Sequence, residues 1–129
     1  MKLLLDTHAA LWFWSGDPKC SRLWIELIEN PDNDIVFHQA STLEIQLKFQ
    51  QGNLCLPKPP REFIPESVRR SFFLYETISD EAIFFLGKLP NLHRDPFDRL
   101  LIAHAILNGC TILTADDKIL KYPVPTISE

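Results

Sequence analysis

The chain has 129 residues, about the size of one domain. With 46% hydrophobic and 23% charged residues it can build a real core, which excludes global disorder, and four glycines exclude a collagen-like chain. Thirteen Lys and Arg against 17 Asp and Glu leave a net charge of −4. Nucleic acid would therefore need a cation, a local basic patch or a basic partner to be held here.

No apolar run approaches the roughly 18–20 residues that span a bilayer, so no membrane role is expected. The opening MKLLLDTHAALWFW is broken by Asp6 and His8 and shows no small-residue cleavage pattern, which argues against a signal peptide. Cys20, Cys55 and Cys110 are odd in number and widely spaced. They read as reduced thiols of a cytosolic protein.

In chain order, KLLL (2–5) reads as a buried strand ending at Asp6, and Thr7 to Trp14 as helix before the break SGDP (15–18). Ser21 caps a helix to about Asn30 with Leu23, Leu27 and Ile28 as its stripe. PDND (31–34) turns into a second buried strand, IVF (35–37). Ser41-Thr42-Leu43-Glu44 has capping-box spacing and predicts a helix from there to Gln51, ended by Gly52. After the connection LPKPP (56–60), a helix over about 60–70 follows, with Pro65 suited to the first turn of a re-started helix.

FFLYETI (72–78) reads as strand, and Ser79 caps a helix to Lys88. LPNLHRDP (89–96) is a loop; Asp95 then caps, and Pro96 starts, a helix to Asn108 that Gly109 terminates. CTILT (110–114) is the clearest strand, DDKILK adds a helical turn, and VPTI (124–127) is an edge strand. Short, continuously apolar strands alternate with helices. That pattern predicts a single α/β domain over residues 1–129, a short parallel sheet with helices on both faces.

In such sheets ligands bind beyond the carboxyl ends of the strands. Asp6 ends the first strand, and Asp116 follows CTILT by two residues. Glu44 and Asp98 each lie in an expected first helical turn. If the sheet is parallel, these four acids reach one rim. Two carboxylates at about 4 Å repel by about 4 kcal/mol at an effective dielectric near 20, so such a pocket holds protons or a cation. Oxygen-only ligands favour Mg²⁺ or Mn²⁺.

Each acid also has a plainer role: Glu44 in the capping box, Asp95 as N-cap, Asp98 beside a helix dipole, Asp116 opening a helical turn. Asp6, closing an apolar strand, is the hardest to explain that way. Lys48 lies one helical turn from Glu44, and Arg99 is next to Asp98. For both the plain alternative is an ion pair with the neighbouring acid. Arg94, in the loop ahead of Asp98, is the better substrate contact. His8, His38, His93 and His104 show no ligand spacing; His8, two residues after Asp6, is the one singled out, with packing as its plainer role. Trp12, Trp14 and Trp24 are read as packing rather than as base-stacking groups.

Taken together, LLLDTHAALWFW (3–14), ASTLEIQLKFQQGNLCLP (40–57), HRDPFDRLLIAHA (93–105) and TILTADDKILKY (111–122) resemble the PIN-domain ribonucleases. Within them they resemble the small VapC-type toxins of type II toxin–antitoxin pairs. The resemblance runs nearly end to end, although Leu43 stands where the family often has Trp. It implies a PIN-like fold and a cytoplasmic endoribonuclease using metal-assisted phosphodiester hydrolysis. Asp6, Glu44, Asp98 and Asp116 are then the metal-binding and catalytic acids, and Mg²⁺ (or Mn²⁺) the cofactor. Asp95 matches a companion acid, and Thr114 a Ser/Thr that orients an acid or a water. A homodimer, a cognate antitoxin and an RNA substrate are implied as well. The alternative is a non-catalytic PIN-like module that binds RNA or protein, against which the presence of all four acids argues. A phosphatase-like α/β domain would want a second Asp where His8 stands.

Overall fold

The computed structural model describes residues 1–128. Its sheet has five parallel strands in the order β3-β2-β1-β4-β5: β1 (Lys2–Leu5), β2 (Asp34–His38), β3 (Leu74–Glu76), β4 (Thr111–Leu113) and β5 (Thr126–Ile127). Six α-helices cover it: α1 (Thr7–Ser15), α2 (Arg22–Glu29), α3 (Gln39–Gln50), α4 (Pro60–Ser71), α5 (Asp80–Phe85) and α6 (Pro96–Asn108). The central strand shows why both faces must be covered. Successive side chains of a strand point to opposite sides. Leu3 and Leu5 accordingly join Trp24, Ile28, Phe37 and Ile64 under α1, α2 and α4, while Leu4 joins Val36, Ile102 and Ile112 under α5 and α6. The expected α/β architecture is what forms.

The tryptophans pack. Trp24 is fully buried and stacks on Trp12, and Trp14 packs among Phe37, Phe63 and Phe73. All three cysteines are free, Cys20 and Cys110 buried and Cys55 exposed. No helix among the described residues is long and apolar enough to cross a membrane. Leu101 is fully buried where α6 meets the sheet. Leu101→Ala is expected to cost about 2–5 kcal/mol, read as a lower urea midpoint at unchanged m-value.

Several boundaries differ from the sequence reading. Helix α3 begins at Gln39, directly after β2, and not at the Ser41 capping box. His38 takes the cap: its extended backbone ends the strand, and its Nδ1 accepts the Ala40 amide at 3.0 Å. Ser41 is then an interior helical residue, fully buried. Helix α4 runs unbroken through Pro65; the missing N–H leaves only the carbonyl of exposed Arg61 without its helical donor. Strand β3 is three residues long because Phe72 still belongs to the end of α4, capping it in the left-handed region at φ 58°. The turn expected at DDKILK is a short 3₁₀ segment, Ile119–Lys121, and a second one, Leu86–Lys88, follows α5.

His38 is fully buried, its ring centroid 4.3 Å from that of His104, and its Nε2 has no partner. Burial, with the nearby His104, lowers its pKa to about 4. A neutral ring is also what the cap requires, since a doubly protonated one cannot accept the Ala40 amide. The folded pKa lies below the unfolded one, so this stabilisation is complete above about pH 6.5 and is lost as pH falls toward 4. About 3 kcal/mol is at stake. Because Asp98 titrates in the opposite sense over the same range, the loss is read as a difference: between pH 4 and 6.5 the urea-derived stability of the wild type should rise with pH relative to that of His38→Asn, which keeps a cap without titrating.

Candidate metal centre

The site lies past the carboxyl ends of β1 and β4 and is assembled by hydrogen bonds that the strand pairing sets up. Pairing of the two strands continues one step further, where the Asp6 amide donates to the Leu113 carbonyl at 3.1 Å. That places Asp6 beside Thr114. Asp6 caps α1 with one carboxylate oxygen, accepting the Ala9 amide at 2.7 Å, and accepts the Thr114 hydroxyl with the other. The same Thr114 oxygen accepts the Asp116 amide at 3.0 Å. Thr114, fully buried, therefore ties together two acids 110 positions apart in the chain.

Glu44 sits in mid-α3 rather than in a capping box, and it is buried. Thr7 of α1 donates to its Oε1 at 2.7 Å, and Lys48 to its Oε2 at 2.7 Å. Lys48 thus forms the ion pair with its neighbouring acid. Asp95 is the N-cap of α6, accepting the Phe97 and Asp98 amides at 2.8 and 3.4 Å. Arg94 is exposed on the loop before it.

Asp98 turns toward a residue that the sequence reading passed over. His93 Nε2 lies 2.9 Å from Asp98 Oδ2 and 3.1 Å from Asp116 Oδ2. Ligand atoms of His93, Asp98 and Asp116 all fall within 4.8 Å of one another. Asp6 and Glu44 stand outside this trio, with oxygens engaged by Thr114, Ala9, Thr7 and Lys48. Their charges still act within it. Burial first, then the carboxylates of Asp95, Glu44, Asp6 and Asp116, push Asp98 up to about 8. Burial also raises Asp6, against the hydrogen bonds from Thr114 and Ala9. Burial would raise Asp116 too, but the Lys118 amide and His93 outweigh it and hold this acid low.

Sequence reasoning missed His93, Thr7 and Arg99. Arg99 does not pair with Asp98; it donates to the carbonyls of Leu86, Pro90 and His93, ahead of α6. His93 carried one usable signal: it lies three residues before the start of α6, on a loop that must return to the rim where Asp98 begins its helix.

The PIN domain family model matches residues 3–125. Ribonuclease VapC22 of Mycobacterium tuberculosis is 26% identical over 126 residues, 95% of this chain and 93% of that protein. Among solved structures, VapBC2 from Rickettsia felis, bound to a DNA fragment from its promoter, has a TM-score of 0.73 at 19% identity, covering 98% of each chain. FitAcB from Neisseria gonorrhoeae has a TM-score of 0.66 at 15% identity, covering 98% of this chain and 96% of that one. With a family model spanning almost its whole length and a sheet of the same architecture, the chain belongs to the PIN domain family.

Proposed function

We propose that this protein is a Mg²⁺- or Mn²⁺-dependent endoribonuclease, the toxin of a type II toxin–antitoxin pair, acting in the cytoplasm. The observation that carries the reading is the crowding of carboxylates around Asp98, which pushes it to about 8. A half-buried carboxyl surrounded by four other acids favours a proton or a cation, so the donor set fits a hard divalent ion. Asp6, Glu44, Asp98 and Asp116 would hold it, with Asp95 and Thr114 in support. Bound there, a divalent cation supplies the charge that acidifies a water and neutralises the scissile phosphate.

The chain's own groups do the rest. The amino end of α6, thirteen residues long, favours a phosphate beside Asp98 through its dipole. Exposed Arg94 adds a positive charge at the rim, and Lys48 holds Glu44 in place. An apolar groove of about 780 Å³ between α3, α4 and β3, lined by Leu43, Ile64, Val68 and Tyr75, supports a protein partner. We assign that partner as the cognate antitoxin, in keeping with the VapBC complex whose fold this chain shares, and the active form as a homodimer. The protein should cleave single-stranded RNA only with added Mg²⁺ or Mn²⁺ and stop when a chelator is added. Cleavage that persists in chelator would overturn the metal mechanism.

A further inference from the structure

His93 is set by a clasp that neither the family nor the acids explain. Its Nδ1 accepts the Asp95 amide at 3.2 Å, so the proton of the neutral ring sits on Nε2, aimed at Asp98 and Asp116. In that tautomer Nε2 has no lone pair to offer an ion. His93 is therefore a donor that fixes two carboxylates, not a ligand. Its loop is tied down just as closely. The Leu92 and His93 amides both donate to the Tyr122 hydroxyl, at 3.2 and 2.9 Å. The Arg99 guanidinium donates to the carbonyls of Leu86 (2.8 Å), Pro90 (3.2 Å) and His93 (3.5 Å), and to the Tyr122 hydroxyl (3.4 Å). Tyr122 is itself buried in the α6 side of the core.

We propose that Arg99 and Tyr122 are positioning residues of the acidic pocket, acting through His93 to hold Asp98 and Asp116 at ion-binding separation. Arg99 suits this because a planar fork with five donors gathers several carbonyls at once, which a lysine cannot do. The inference rests on the nuclease reading for its consequence in catalysis, but not for the clasp itself.

The test begins on the metal-free full-length protein. In Tyr122→Phe and in Arg99→Lys, the His93 amide is expected to exchange about tenfold faster, with β1 and β4 amides as protected as before. Nitrogen NMR of the histidine rings should show His93 losing its fixed Nε2–H form. Mn²⁺ titrations followed by electron paramagnetic resonance should weaken about tenfold, and kcat on RNA should fall about tenfold at unchanged KM. A His93 amide and ring unchanged in both variants overturn the proposal, as does undiminished Mn²⁺ binding once the loop is loose. Full rescue by Arg99→Lys would reduce Arg99 to a charge and overturn the clasp. If the wild-type protein cuts no RNA at any Mn²⁺ concentration, the nuclease reading falls, and the exchange and Mn²⁺ results still decide the clasp.

Discussion

Asp98→Asn is expected to lower RNA cleavage by about a hundredfold to a thousandfold while raising the melting temperature of the metal-free protein. The two effects have one cause. Asn keeps an oxygen for the His93 Nε2–H and fits the same volume, so packing is preserved. What disappears is a charge that burial and four surrounding carboxylates disfavour until a cation compensates it. The folded metal-free protein is relieved of a penalty on the order of 5 kcal/mol at pH 8. The proposed ion would lose one of its ligands. A core substitution lowers activity and stability together, so opposite signs identify a pocket built for an ion. Thermal melts in chelator and cleavage assays in Mn²⁺ check both halves. A variant that is inactive and also less stable would count against it.

The second large effect is a pH dependence that a metal ion should erase. The folded pKa of Asp98, about 8, lies above its ordinary 3.8. Between those values the folded protein binds more protons than the unfolded chain, so stability falls as pH rises through the window. Below about pH 6.5 His38 works in the opposite direction, gaining stability with rising pH as its ring becomes neutral. The clean interval is therefore pH 6.5 to 8, where metal-free stability should drop by about 1–2 kcal/mol. Mn²⁺ at about a hundredfold above its Kd adds about 2.7 kcal/mol and flattens the slope, because it competes with the Asp98 proton. Urea unfolding at both pH values, with and without Mn²⁺, reads this directly. The same slope in both conditions would show that the ion does not reach Asp98.

Where local chemistry and global fold agreed, the sequence was legible. An apolar run closed by Asp6 could only be a buried strand with an acid at its rim. Asp95, Pro96 and Gly109 bounded α6 correctly because a cap, a proline at N1 and a left-handed glycine are local devices. The Ser41 box was misleading: four residues had the right spacing, but His38 capped the helix first with a ring nitrogen, which no sidechain-oxygen rule anticipates. The overlong third strand failed because Phe72 adopts a conformation usually left to glycine or asparagine. His93 and Arg99 were misread for a different reason. Their partners, Asp116 and the Tyr122 hydroxyl, lie 23 residues away from each in the chain, and spacing rules reach only a few positions.

The central place of β1, between β2 and β4, has a consequence for synthesis. The wall of the pocket that carries Asp6 is translated well before the wall that carries Thr114 and Asp116. A nascent chain already holding Asp6, Glu44 and Asp98 still lacks the strand that seats beside β1 and the hydroxyl that orients Asp6. If the protein is the nuclease we propose, the ribosome making it is shielded from its product until residues 111–116 emerge, and translation itself times the onset of toxicity.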